Sequence, residues 1–406
     1  TRLVDLNFSE ASETTRTLTG AQFSGCDLSG MEWQNAELDE AKFRACNMPN
    51  VVLRGAALRQ ALFDECELSA GDFSHTDLRE TVFEKCELAN ANFANTTLER
   101  TRIRQCNFPA ANLAKLNLDE AEFADTNLEG ASFRGTSLRF TVFDGAQLRS
   151  VDFQGAELEN TNFYGADLSG AQFGNARLNK CGLADARMPN ANLAGVEAVD
   201  CDFSRIDFTD VELAQIRMER CILSETTLAG RDLSRSSFRC CHFHGANLAN
   251  ARLEGADLSQ ASFKGANLSG ARLRDIVGRL SEFPEANLSD ADLRGADLRM
   301  VNLCDARLDR ANFSGARMER ANLTSVVAEH TNFAGAHLRY ALLVRAVVQN
   351  ADFSRADLRQ ADMHRIEDSG ANWKDANKKR VRGTDEEKAK AEDYQPPEPK
   401  QMRNQG

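Results

Sequence analysis

Residues 246–270 read ANLANARLEGADLSQASFKGANLSG, five blocks of five in which a small residue, a polar residue and Leu or Phe recur in the same order. The large apolar residues are Leu248, Leu253, Leu258, Phe263 and Leu268. Neither the helical period of 3.6 nor the strand period of 2 produces such spacing. A period of five requires a chain that turns a corner every five residues. Extended outward, the clock runs without insertion or deletion from position 3 to position 373. Of its 75 centres, 70 hold Leu, Phe, Met, Ile, Val or Trp, the exceptions being Glu13, Ala198, Gly278, Ala328 and Asp368. Of the 24 Phe, 23 fall on this phase and only Phe140 does not.

The residue two before each centre is mostly Ala, with Thr, Cys, Val and Ser. Twenty of the 26 Gly lie two after a centre, and Pro49, Pro109, Pro189 and Pro284 lie one after. Pro followed by Gly is the signature of a type II turn, since Pro presets φ and Gly accepts φ > 0. Each pentapeptide is thus a short extended stretch plus a turn. The cysteines give the coil size. Cys26, Cys46, Cys66, Cys86 and Cys106 are spaced by 20, as are Cys181, Cys201, Cys221 and Cys241. Four pentapeptides per coil make a square cross-section.

This arrangement resembles the pentapeptide repeat family, whose fold is a right-handed quadrilateral β-helix. The resemblance covers residues 1–375 and implies an all-β solenoid of about 19 coils, on the order of 90 Å long at the spacing of stacked strands. The handedness comes from the resemblance alone. The centres fill the axis and leave no room for a ligand cavity. Each coil contacts only its neighbours, so stability is close to a sum over adjacent pairs. Gly278, like Ala198 four coils before it, removes a core side chain and predicts a thin spot, a kink or a compensating neighbour.

Residues 376–406 form a second, charged segment. Thr384 to Glu387 reads as a capping box for a short helix over 385–394. The Pro-rich stretch after it, Gln395 to Pro399, is expected to be disordered. Trp373, the last core residue of the clock, is placed to plug the open end, where unpaired edges template aggregation. The clock begins at once with Leu3 and Phe8, the first residue is Thr1, and nothing there reads as a cap. An upstream domain or partner is therefore expected to cover that end.

The charge balance bounds function. The 61 Asp and Glu against 49 Lys and Arg give −12, with a mean hydropathy of −0.46, which disfavours a nucleic-acid or anionic-membrane surface. No stretch approaches the roughly 20 apolar residues of a membrane-spanning helix. Eleven Cys is an odd number and a poor fit to a secreted disulfide framework. The Cys columns read as small buried residues standing in for Ala. Cys240 and Cys304 lie outside them, and Cys240, at a corner, is the candidate reactive thiol. His242 and His244 flank Phe243 but lack further ligands, so no metal is assigned. The glycines follow the turn clock and form no phosphate loop. No catalytic residue and no cofactor is assigned, and the chain reads as non-enzymatic.

Some members of the family resemble a DNA rod and act on gyrase or topoisomerase IV. B-DNA carries a charge about every 1.7 Å, so a mimic of this length would show on the order of 50. Residues 1–373 carry 54 acidic and 40 basic groups, net −14, with Arg177, Arg187, Arg217, Arg252 and Arg272 among the outward positions. The DNA-mimic modulator is therefore the alternative reading. The preferred one is a rigid protein–protein interaction scaffold or adaptor, placed in the bacterial cytoplasm, with secretion into another cell left open. Long rods of this type also resemble proteins associated with bacterial type VI secretion, which implies a secretion-apparatus or effector protein as partner. Outward apolar residues mark the candidate contact. They are Phe140, Leu280, Met300 and Tyr340 in one corner column, with Leu342, Val344 and Val347 beside it. Leu62, Val82, Val142 and Ile222 share the face of Leu342.

Overall fold

The computed structural model describes residues 2–5 and 17–394. Every coil takes 20 residues. Parallel pairing of residue i with i+20 begins at Arg2↔Gln22 and continues to Asp362↔Arg382. Most coils make four bridges at five-residue spacing, for example Gln22↔Lys42, Asp27↔Asn47, Glu32↔Val52 and Glu37↔Ala57. The cross-section is therefore four-sided, and the molecule is an all-β parallel solenoid. Most bridges are single residues. Three-residue strands form where the pairing is longest. β1–β6 (Arg2–Val4, Gln22–Ser24, Lys42–Arg44, Leu62–Asp64, Val82–Glu84, Arg102–Arg104) make one six-stranded sheet. β7–β11 (Glu157–Glu159, Arg177–Asn179, Glu197–Val199, Arg217–Glu219, Ser237–Arg239) make a five-stranded one.

The repeat follows from a complete account of its backbone N–H groups. The outward residue donates to the preceding coil (Lys42 N–H to the Ala21 carbonyl, 2.8 Å). The centre donates to the following coil (Leu28 to Asn47, 2.7 Å), and so does the corner (Gly30 to Pro49, 2.9 Å). The small residue closes the turn on the centre three before it (Ala41 to Leu38, 3.1 Å). Outside the three-residue strands, that leaves the residue after the centre with no carbonyl to use. Its N–H goes to the side chain of the outward Asp or Asn two residues earlier. Ser74 to Asp72 (3.0 Å), Ala194 to Asn192 (2.9 Å) and Ser354 to Asp352 (2.9 Å) are examples. This Asx geometry is why Asp and Asn crowd that position. It is also why Pro, which has no N–H to place, is admitted only there.

Every corner from Gly20 to Arg380 has positive φ except Asp210. At that corner Asn190 N–H bonds the Asp210 carbonyl at 2.9 Å, one residue later than the rule. Arg231, in a slot given mostly to Ala, Thr or Cys, donates to the Thr209 and Val211 carbonyls at 2.6 Å each. The guanidinium takes over acceptors that the altered corner leaves free.

Inside, Phe residues stack coil on coil. Phe23, Phe43, Phe63 and Phe83 lie 4.8–4.9 Å apart and near parallel. Phe133, Phe153 and Phe173 form a second stack, met edge-on by Phe143 and Phe163. At Gly278 the ladder is unbroken. Gly278 N–H reaches the Asp297 carbonyl at 2.9 Å, and Leu298 and Ile276 have moved into the missing side chain's space. Of the three outcomes expected there, the compensating neighbour is the one found.

At the C-terminal end Trp373 stacks on Phe353 at 4.3 Å, and Lys378 Nζ lies 3.7 Å from its ring centre. Ala376 and Val381 pack on after it, so coil pairing runs past Trp373 to Arg382. Helix α1 (Glu386–Glu392) follows, and its N-cap is Asp385, which accepts from Glu387 and Lys388 N–H. The Thr384 cap read from the sequence is thereby corrected. Thr384 Oγ1 instead accepts the Arg365 N–H at 3.1 Å, which holds the approach to the helix against the rod. Arg345 and Arg365 fasten the far end, bonding Glu392 and the Ala389 carbonyl at 2.7 Å each. Phe8, Glu13 and the Pro-rich stretch 395–399 lie outside the described residues.

Candidate docking surface

Corners at multiples of 20 form one edge of the rod, and every described member is held at positive φ. For a residue with a Cβ this conformation costs about 1–2 kcal/mol, which Gly, Asn and Asp bear most easily. Phe140, Leu280, Met300 and Tyr340 occupy it at φ of 56–61°. They are 45–54% exposed, so burial returns little of the strain. Large apolar side chains in a strained, solvent-facing position are what a contact surface would require and what the solenoid does not.

The structure separates these residues by coil. Leu280 and Met300 sit on adjacent coils, Arg320 on the next and Tyr340 on the one beyond. Leu342 is exposed beside Tyr340 on the adjoining face, in register with Asn322 and Asp362. Val344 and Val347 are half-buried, and Val347 lies around the next corner in register with exposed Val327. Phe140 stands seven coils before Leu280, roughly 34 Å at strand spacing, and shares no contact with the others. One edge thus gathers Leu280, Met300, Tyr340 and Leu342, and leaves Phe140, Val344 and Val347 outside. Exposed Val277, one turn before Leu280, extends that edge and was not singled out by sequence reasoning, nor was exposed Tyr164 elsewhere on the rod. Val277 occupies an ordinary outward position and Tyr164 the slot after a centre, where the repeat gives no signal.

Over much of the rod Arg and acid neutralise one another. Arg and acid alternate along columns, as in Arg100–Glu120 (2.8 Å), Arg220–Asp200 (2.7 Å) and Arg310–Asp290 (2.6 Å). Asp297 is clasped by Arg299 and Arg279 at 2.7–2.8 Å. The Arg299 bond first, then Arg279, holds its carboxyl down at about 2 against the cost of partial burial. Tyr340 differs: its ring has the guanidinium of Arg320 at 5.9 Å and that of Arg339 at 5.8 Å, cation–π distances. With Arg359, Gln360, Lys379 and Arg380 it lines a shallow depression of about 300 Å³.

The column cysteines are tied to the backbone. Each column thiol donates to backbone: Cys66 Sγ reaches the Phe43 and Asp64 carbonyls at 3.4 Å. Thr in the same slot does likewise, Thr81 to Leu58 at 2.6 Å and Thr101 to Leu78 at 2.7 Å. The slot therefore selects a small side chain with a donor. The neighbouring Cys201 thiol and burial push Cys221 up to about 12, far from a nucleophile. Cys304, bonded to Asp305 at 3.0 Å, is pushed up to about 11 by that carboxylate and by partial burial. Cys240 is half-buried at its corner, with Gln260 Oε1 at 3.7 Å. The His242 and His244 rings lie 5.5 Å apart, while Cys241 before them is buried. Among the described residues no three His, Cys, Asp or Glu are grouped to hold a metal ion. No described helix is long and apolar enough to cross a membrane.

Two family models agree with the geometry. A family model described as "pentapeptide repeat region" matches residues 16–93, 61–133, 91–163 and 106–183. A second, "pentapeptide repeats (8 copies)", matches 186–224, 201–239, 241–276, 286–324 and 329–365. No curated protein sequence matches the chain. Among solved structures it is similar to HetL of the cyanobacterium Nostoc, a pentapeptide repeat protein involved in heterocyst differentiation regulation. That match has 24% identity over 69% of this chain and 88% of HetL, with a TM-score of 0.26. It is also similar to QnrB1, a plasmid-mediated fluoroquinolone resistance protein, at 17% identity over 54% and 89% of the two chains and a TM-score of 0.26. A pentapeptide repeat protein of the Arabidopsis thaliana thylakoid lumen matches at 30% identity over 35% and 68%, with a TM-score of 0.13.

Proposed function

The chain belongs to the pentapeptide repeat family, and from that premise we propose that it is a rigid, non-enzymatic scaffold that docks a protein partner along the Leu280–Leu342 edge. The observation that carries this reading is Tyr340, an exposed aromatic side chain at a corner whose backbone favours Gly, Asn or Asp. The packed axis supports it as well, since a rod filled by stacked Phe presents its chemistry only outside. An adaptor joining components of a bacterial secretion apparatus needs such a stiff spacer with one sticky edge. A DNA mimic needs a continuous negative face, whereas here arginine ladders neutralise neighbouring acids on both faces and corners.

The test is affinity capture from a bacterial lysate by the native rod and by the Tyr340→Asp/Leu342→Asp variant. Asp suits positive φ better than Tyr, so the variant is expected to melt at or above the native temperature and to lose its partner. Equal capture by both proteins removes the docking edge. If the protein captured by both is gyrase or topoisomerase IV, the mimic reading replaces it.

A further inference from the structure

We propose that the docking edge receives an acidic segment of its partner, seated on Tyr340 and held by Arg320, Arg339, Lys379 and Arg380. This deepens the scaffold reading and rests on it. The sign of the rod changes along its length. Residues 1–130 carry 22 acidic and 12 basic groups, net −10, while residues 311–382 carry 8 acidic and 12 basic, net +4. Residues 311–373 are balanced at seven of each sign, and the excess comes from residues 374–382, of which Lys379 and Arg380 stand at the Tyr340 corner. Elsewhere an outward Arg commonly faces a carboxylate on a neighbouring coil. Here, among the described residues, Arg320, Arg339, Lys379 and Arg380 have no acidic group within 4.0 Å, and only Arg359 is neutralised, by Asp357 at 2.6 Å. Glu319 sits one coil before Arg339 in the same column, yet no ion pair joins them. Its Oε2 and the Arg339 Nε are both buried without a hydrogen-bond partner. A guanidinium donor held out of water with nothing to bond is an incomplete site.

The geometry limits the occupant. Arg320 to Arg380 spans three coil spacings, roughly 14 Å, which an extended stretch of four or five residues covers. A longer polyanion would have to continue over the negative part of the rod, so a duplex or a long single strand fits poorly. Two or three carboxylates match the free cations. One apolar residue of the same segment would reach Leu342, the exposed neighbour of Tyr340.

Fluorescence anisotropy of a labelled Leu-Glu-Glu-Glu-Glu-Leu peptide, titrated with the full chain at low salt, tests this. Saturable binding is expected. It should weaken about tenfold in Arg320→Glu/Arg380→Glu, the sum of two exposed pairs reversed, and fade in 0.5 M salt. The control Arg177→Glu, on a distant coil, should bind like the native rod. Absence of saturable binding overturns the proposal, as does equal loss in the control. Tighter binding of a twenty-nucleotide oligothymidine overturns it in favour of a nucleic-acid surface. Dimerisation at the same concentrations, abolished by the double variant, would make the acidic segment that of a second copy. If the peptide fails while Tyr340→Asp/Leu342→Asp still loses its captured partner, the docking edge stands and only its acidic occupant is wrong.

Discussion

Gly278 occupies a centre, where 70 of 75 sites hold a large apolar residue. By the logic of the repeat, Gly278→Leu repairs a defect and adds a buried side chain worth about 1.5–3 kcal/mol. The structure gives the opposite sign. A Cβ built on Gly278 would lie 3.0 Å from Leu298 Cδ2, 3.2 Å from Ser281 Oγ and 3.5 Å from Ile276 Cδ1. Ile276 stands in the slot normally given to Ala, and its extra carbons lie in the volume that a Leu would use. The first added atom is already crowded, and three more carbons have no space. Overpacking of this kind costs about 1–3 kcal/mol. A stiffer unfolded chain returns up to about 1 kcal/mol of that, since Gly278 is outside the left-handed region and the backbone raises no objection. The net expectation is destabilisation by about 1–2 kcal/mol.

Urea unfolding followed by circular dichroism reads this as a lower midpoint at unchanged slope. The double variant Gly278→Leu/Ile276→Ala, which restores the ordinary small residue beside an ordinary centre, should recover the native midpoint or exceed it. A raised midpoint for Gly278→Leu alone would refute the reasoning, because it would mean that the space is empty. Equal losses in the single and double variants would also refute it, because Ile276 would then not be the occupant.

Two other outcomes follow from the surface chemistry. The folded carboxyl of Asp297 is depressed to about 2 from an ordinary value near 4, so its contribution is present above pH 4 and lost as pH falls toward 2. Discounted for its exposed arginine partners, that is about 1–2 kcal/mol; the gap in melting temperature between native protein and Asp297→Asn should close over that window, and a gap constant from pH 7 to pH 2.5 would contradict it. Iodoacetamide at pH 8 should alkylate Cys240 first, Cys304 more slowly and the column thiols only after denaturant is added; peptide mapping that finds a column Cys labelled early would show that the coils open.

The five-residue clock was legible because it reports on positions with no freedom. A centre must fill the axis, the slot before it must be small, and a corner must accept positive φ. The duty of the outward Asp and Asn was not legible, since their abundance is visible in the chain but the orphan N–H they satisfy appears only once the ladder is counted. The helix cap was misplaced for a similar reason. Thr384 and Asp385 are both good caps in isolation, and what decides between them is the Arg365 N–H, which comes from the preceding coil and claims the threonine. Arg231 carries the same lesson: in the sequence it is a large residue in a small slot, and only the altered Asp210 corner gives it work.

A surface for a partner must be written in the positions that this fold leaves free, and those are few. The outward residue is half committed to its turn, and the corner is committed to a backbone conformation. A side chain chosen there against local preference therefore carries more information than the same side chain elsewhere. Exposed Ile222 or Val277 adds little, because an outward strand position accepts β-branched residues at no cost. Tyr340 is different on three independent grounds: its backbone disfavours it, its ring is left outside, and the cations about it lack the acidic neighbours that other arginines find. Phe140 satisfies the first two grounds and fails the third, since Arg139 beside it is paired with Glu159 at 3.1 Å. The argument for docking thus discriminates between two residues that the sequence treats alike, and Phe140→Asp should leave partner capture intact where Tyr340→Asp abolishes it.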